Sequence, residues 1–589
     1  MKRLRQGEGF IGICHYKGDK LAVRPMFEHE TGPSVIITTP GIEEGDIVRA
    51  WGDNGDIFVS LFHKKGTVLH KYMLQLDALH VNPFFPADVL DEVKAILDEP
   101  GIDDPSLKDF THLPFVTIDN EGSKDLDQAV YVRSKGIGFL IYYAIADASY
   151  YIRPGTALFR EALKRGASYY FPDYSVPMLP RELSEGIISL NPQQERRALV
   201  FIMELDVTGN ILHTDIVRGK IISREKLSYN GVQEYYDDPS SSPLAGRGYD
   251  ESLLNLRVAG RFLAALGDRR GVISYERFEQ VVRIAEDEVN LEFQDLRRND
   301  ASRWNEQISL LCNMEGAKIL SPEGGAGDLH VQPVFRIHEA PDEASLARLE
   351  NVISSFIEIH SLDKEKWGWR RGESLALYLK KLPLTGPDKR ITEAIERQIL
   401  ISNQKSFFSG NPGIHYALGV KLYGRFSSPM REIVGIYSHK ELAEKLGLQE
   451  PHPDEADIEL REKVILASNR CKDIQKDIDR MVNDLVLDSL FRPELELAVE
   501  ARPCHSGTIM GMKDTKMYVM LDSPRIEIKV YTEDIEKHSG RKFSCRFHVM
   551  EETGAADKPL KFRAGDEIKI KVTGCDEKGK WRFTVPGIA

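Results

Sequence analysis

Long apolar runs are missing from this 589-residue chain. A helix that crosses a bilayer needs about twenty consecutive apolar residues. The best stretch, Phe139 to Ala148, is half that length and carries Asp147, so no membrane association is expected. The start, Met1-Lys2-Arg3-Leu4-Arg5-Gln6-Gly7-Glu8, has charge but no apolar core, and no secretory signal is expected from it. Cysteine is scarce as well. Cys14, Cys312, Cys471, Cys504, Cys545 and Cys575 are scattered without a C-x-x-C pair. That argues against a disulfide framework or a zinc site and fits a reducing cytoplasm. No internal repeat is present.

Positive charge is in short supply: 78 Lys and Arg face 91 Asp and Glu, a net charge of −13. Phosphate binding needs local positive charge, so the chain as a whole is no general binder of polyanions. The distribution is uneven, however. From Ala501 to Ala589 there are 17 Lys and Arg against 13 Asp and Glu. A basic C-terminal module on an acidic body points weakly to an anionic polymer; a solvated β-surface would look the same.

What is present reads as an α+β chain. Residues 1–78 carry short apolar runs between Gly, Asp and Pro turns, the pattern of an OB-like or cold-shock-like β-barrel, with an SH3-like barrel as the alternative. Residues 79–110 connect, with a helix expected over Ala87 to Leu97 between Pro86 and Pro100-Gly101. Residues 111–499 mix both patterns. Phe139 to Ala146, Ala198 to Asp206 and Ile216 to Ile222 read as buried strands. Ser252 to Leu266, Trp304 to Leu320, Leu346 to Ser361, Lys389 to Gln404 and Glu455 to Leu490 read as helices. Residues 500–589 return to strands, a second OB-type barrel suited to single-stranded nucleic acid.

One stretch carries distinctive chemistry: Asp119, Asp125 and Asp127, spaced D-x-x-x-x-x-D-x-D between the strand-like runs Phe115–Ile118 and Ala129–Val132. On extended chain, Asp125 and Asp127 point the same way. Asp119 could face them across the Gly122-Ser123 turn. Carboxylates held that close favour a shared hard cation, magnesium or manganese. By spacing alone, an Asx-type turn explains the stretch better.

The surrounding blocks reverse that balance. Val116-Thr117-Ile118-Asp119 through Ala129-Val130, Ala144 to Ile152, Tyr170 to Ser184, Ser189 to Pro192, Gly271 to Glu276, Arg298 to Ala301 and Tyr423 to Arg431 resemble, in order, the blocks of the ribonuclease II / ribonuclease R (RNB) family. The resemblance spans roughly Leu79 to His439. It implies a mixed RNB catalytic domain flanked by small OB-type barrels, and 3′-to-5′ hydrolysis of single-stranded RNA to nucleoside 5′-monophosphates. Asp119, Asp125, Asp127 and Gln128 occupy its magnesium positions, with manganese possible. Asp125, Asp127 and Arg431 would be catalytic. Tyr170 and Tyr275 match base-stacking positions, and Glu306 lies where the family contacts substrate. The expected partner is single-stranded RNA, with a monomeric chain and no small-molecule cofactor.

Four polar positions depart from that pattern. Gln128 stands where the family has a fourth aspartate, Glu306-Gln307 where it commonly has two glutamates, Glu432 where an arginine follows Arg431, and Gly435 at a later aspartate position. An attenuated enzyme or a catalytically dead RNA-binding module is therefore the rival expectation. If the missing ligand limits the rate, Gln128→Asp is expected to raise activity.

Overall fold

The computed structural model describes residues 9–27, 35–53, 56–273, 278–297, 299–321, 331–451, 454–546, 548–554 and 559–588. Five antiparallel strands come first: β1 Gly9–Lys17, β2 Lys20–Pro25, β3 Val35–Ile36, β4 Ile47–Asp53 and β5 Asp56–His63, in the order β3-β2-β1-β4-β5. A helix not expected from the sequence follows at Val68–Ala78, where the Thr67 hydroxyl accepts the His70 N–H at 3.3 Å. Its buried residues Val68, Tyr72, Met73 and Leu76 share a core with Ile11 and Ile47 of the strands and with Met26 just past β2.

The central sheet places the acidic stretch. Its strands are β6 Lys108–Asp109, β7 Phe115–Asp119, β8 Gln128–Lys135 and β9 Gly138–Ala146. After a small hairpin, β10 Tyr169–Phe171 and β11 Tyr174–Val176, come β12 Glu195–Leu205 and β13 Ile211–Ser228. The order is β12-β9-β8-β7-β13-β6, and β12 also pairs with β13, so five strands close on one another. Side chains alternate between two buried faces. Phe115, Ala129 and Ala144 enter one core, while Val116, Val130 and Tyr143 enter the other. Burial on both faces is why these strands read as continuous apolar runs. Antiparallel pairing of Val116 with Val130 brings the end of β7 and the start of β8 to the same edge.

Helices cover both faces. The helix Asp300–Leu320 buries Ile308, Leu311 and Cys312 against the second face. The 38-residue helix Asp454–Phe491 runs past three cores. Val464 packs with the sheet, Cys471 and Ile478 with the N-terminal strands, and Phe491 with the C-terminal strands. The C-terminal five-stranded antiparallel sheet shares its core with Leu349, Ile353 and Ile395 of the helices Glu343–His360 and Lys389–Ser402. Among the described residues, no helix is long and apolar enough to cross a membrane. All six cysteines are free thiols.

Candidate active site

Asp119 ends β7 with a half-exposed carboxylate. Its Oδ1 accepts the Asn120 N–H at 2.7 Å and the Ser123 hydroxyl at 2.9 Å. The chain reverses through the Ser123 N–H, which donates to the Asn120 carbonyl at 3.1 Å, and not through the i+2 bond of an Asx-type turn. Among the described residues, the Asp119 Oδ2 has no hydrogen-bond donor, and Asp125 meets only its own backbone N–H and the Arg431 Nε at 3.9 Å. Burial raises its pKa; Arg431 opposes the rise, and Asp119 adds to it. Asp127 is 2% exposed. Its Oδ1 accepts the Met430 N–H at 3.1 Å and its Oδ2 the Arg431 Nε at 2.8 Å. Burial pushes its carboxyl up to about 6 against the pull of the guanidinium. Among the described residues, no acceptor bonds the Nη atoms of Arg431. A cavity of about 480 Å³ collects Asp119, Asp127, Gln128, Glu306 and Arg431.

Gln128, expected as a metal ligand, has its amide committed within the protein. Its Nε2 donates to the Ser427 carbonyl, and its Oε1 accepts from the Tyr143 hydroxyl and, at 3.0 Å, from the Ser309 hydroxyl. The segment that carries Arg431 is pinned further by Asn313. Its Oδ1 accepts the Phe426 N–H at 2.7 Å and the Ser427 N–H at 3.1 Å, and its Nδ2 donates to the Ser427 hydroxyl at 3.0 Å. Two other departures are also built in. Glu432 receives Arg425 through two bonds, at 2.8 and 3.0 Å. Gly435 has no room for a side chain: a Cβ there would lie 2.8 Å from Pro429 Cα.

These contacts divide the four expected metal ligands into two pairs. Asp119 and Asp125 are hard oxygen donors with oxygens to spare, which fits a magnesium or manganese ion that keeps several of its waters. Asp127 and Gln128 already accept protein donors on every side-chain oxygen. Among the described residues, the acids that cluster within 4.8 Å of one another are Glu441, Glu444 and Asp457. The Lys440 ammonium sits among them, 2.8, 2.9 and 2.7 Å away, so this group is a buried ion-pair knot. Asp147 is likewise structural, buried against Arg218 Nε at 2.8 Å.

Tyr170 lies on β10, is 46% exposed as a residue, and lines a second cavity beyond Arg431. Its backbone N–H and carbonyl both bond the Gln475 side chain, each at 3.0 Å. Tyr275 falls outside the described residues. Sequence reasoning missed Tyr143, Ser309 and Asn313. The available signal was a polar stripe, Ser302, Asn305, Ser309 and Asn313, at the three- and four-residue spacing that puts side chains on one face of the helix Asp300–Leu320.

A family model described as the RNB domain matches residues 107–447. Ribonuclease R of Vibrio cholerae serotype O1 is 30% identical over 368 residues, 62% of this chain and 43% of that protein. The chain spans about half the length of the curated relatives it matches. The structure of Mycoplasma genitalium RNase R with ribose-methylated single-stranded RNA superposes with a TM-score of 0.78 at 20% identity, covering 98% of this chain and 89% of that one. Yeast Ssd1, described as a pseudonuclease, superposes at 0.61 with 16% identity, over 93% and 67% of the two chains. The shared architecture is α+β, a mixed RNB domain with small OB-type barrels at its flanks. By the extent of the family match, the chain belongs to the RNB domain family.

Proposed function

We propose that the chain is a divalent-metal-dependent exoribonuclease that shortens single-stranded RNA from its 3′ end and releases nucleoside 5′-monophosphates. The observation that carries this reading is the bond from Arg431 Nε to Asp127, which leaves both Nη atoms to face a phosphate. The names of the curated relatives, ribonuclease R, support the same class of reaction.

Asp119 and Asp125 would hold magnesium or manganese. Such an ion neutralises charge on the phosphate and makes an attacking water more acidic. Arg431 grips the phosphate through a planar fork, which suits two oxygens of one group. Asp127 holds that fork in place and keeps it from swinging into solvent. Tyr170 offers a ring face to the terminal base, a contact every base can make. Tyr275 is proposed for the same role, and Glu306 forms the substrate-facing wall of the cavity.

A second reading, an RNA-binding module without hydrolysis, draws on Asp127 and Gln128, whose side-chain oxygens all have protein donors. One incubation separates the two: 5′-labelled single-stranded RNA, the protein, and magnesium or manganese. A ladder that shortens from the 3′ end supports the exonuclease. Internal cuts from the first time point would indicate an endonuclease. A gel shift with every RNA at full length, in both metals, would leave only the binding module.

A further inference from the structure

Arg431 lines two cavities. On one side are Asp119 and Asp127; on the other is a cavity of about 360 Å³ with Tyr170, Arg336, Arg425, Glu432 and Lys472 on its walls. The charges of the second cavity do not balance. Glu432 is taken by Arg425, and Arg431 is taken by Asp127 from the other side. That leaves Arg336 and Lys472. Among the described residues, neither has an ion-pair partner.

Arg336 donates from Nη2 to the Ser406 hydroxyl at 3.2 Å, while its Nε is buried without an acceptor. Lys472 donates to the Ser406 carbonyl at 3.2 Å and stands over the Phe408 ring at 4.3 Å. Burial, then the Arg336 charge, holds Lys472 down to about 8; Glu432 pulls the other way. The neighbouring Cys471 thiol is pushed up to about 11 by burial and stays neutral. Two under-compensated cations inside a cavity are costly unless an anion joins them.

We propose that this second cavity receives a phosphate on the 3′ terminus of the RNA, so that phosphate-ended chains are preferred over hydroxyl-ended ones. The inference rests on the exonuclease reading for its orientation. If Arg431 grips the scissile phosphate and Tyr170 stacks the terminal base, the terminal nucleoside occupies the second cavity. The group on its 3′ carbon then faces Arg336 and Lys472. A hydroxyl leaves both cations as they are; a phosphate dianion pairs with both. Hydrolysis proceeds as for any terminal nucleotide. Water bonds to phosphorus, the bond to the penultimate 3′ oxygen breaks, and that oxygen takes a proton. The first product is a nucleoside 3′,5′-bisphosphate, and the shortened chain ends in a hydroxyl. The preference is therefore confined to the first nucleotide released.

The test uses the unaltered protein in EDTA and fluorescence anisotropy. Three oligoribonucleotides of one sequence are compared: 3′-phosphate, 3′-hydroxyl, and 5′-phosphate with a 3′-hydroxyl, the last matching the charge of the first. The 3′-phosphate form is expected to bind at least about tenfold tighter than both others, the scale of one charge-assisted contact. Inorganic phosphate at millimolar concentration should narrow that ratio, and Lys472→Met should collapse it. Equal binding of the two phosphate isomers, or tighter binding of the hydroxyl form, would overturn the inference. The metal-containing incubation is a separate readout. Tight, selective binding without any shortening would remove the hydrolase and leave this site standing. Shortening without selectivity would do the reverse.

Discussion

The Asp127 carboxylate accepts the Arg431 Nε at 2.8 Å across 304 residues of chain. A buried acid so placed acts as a hinge-pin for the guanidinium: it fixes one edge of the group and leaves the other free. Burial opposes the charge on Arg431, and Asp127, Tyr170, Asp125 and Asp119 together outweigh it, so the guanidinium stays charged.

Arg431→Lys keeps the charge and removes the fork. A lysine cannot hold Asp127 and offer two donors to one phosphate. The rate of terminal nucleotide release under single-turnover conditions should fall by about 10²- to 10³-fold, the usual loss for one transition-state donor. RNA affinity in EDTA should change little. A rate within a few-fold of the parent would mean that Arg431 does not touch the phosphate.

Gln128→Asp tests whether the amide is a lost ligand or a strut. The hydrogen bonds at Gln128 lead to the opposite of the gain in activity expected from the sequence. An aspartate is shorter, cannot donate to the Ser427 carbonyl, and adds a charge beside buried Asp127. Loss of a buried partner costs about 1–3 kcal/mol. A lower midpoint of thermal unfolding without a faster reaction is expected. A faster enzyme of unchanged stability would restore the fourth-ligand reading.

The strands and the acids around this site were legible because each signal is local. Phe115–Ile118 and Ala129–Val132 are short apolar runs, and the three aspartates sit between them. The contacts that set Asp127 and Gln128 apart from Asp119 and Asp125 were not legible. Asp127 finds Met430 and Arg431 303 and 304 residues away, and Gln128 finds Ser309 and Ser427 at 181 and 299. No pattern within a window of twenty residues encodes such contacts. The helix Val68–Ala78 was missed for a different reason: its four buried apolar residues pack under a barrel that the composition had already labelled as strand.

Gly435→Ala should damage the same segment through the backbone. The added Cβ would press on Pro429 Cα at 2.8 Å and on the Ser428 carbonyl at 3.2 Å. Overpacking of this kind costs about 1–3 kcal/mol. Pro429 precedes the Met430 N–H that Asp127 accepts, so activity should fall together with stability. Thermal unfolding and ladder assays on the same preparation check both.

His439 makes the fold acid-sensitive. It is fully buried, its Nε2 lies 2.8 Å from the Phe426 carbonyl, and burial pushes its pKa down to about 4. The unfolded chain takes up a proton near pH 6.5 that the folded chain refuses. Stability is therefore complete above about 6.5 and is lost as pH falls toward 4. The contribution is on the order of 3 kcal/mol. His439→Gln keeps a donor for the carbonyl and removes the titration. Its unfolding midpoint should depend less steeply on pH between 7 and 4.5 than the parent's. Parallel curves would mean that His439 is protonated in the folded state.

Asp119 and Asp125 are proposed to hold the metal, while Asp127 holds Arg431. The magnesium dependence of 3′-end shortening separates these roles most directly. In Asp119→Asn and Asp125→Asn, the magnesium concentration for half-maximal rate should rise at least about tenfold, with part of the rate recovered at high magnesium. In Asp127→Asn the maximal rate should drop while the half-saturating magnesium stays put. An equal shift in half-saturating magnesium for Asp127→Asn and Asp125→Asn would contradict the division.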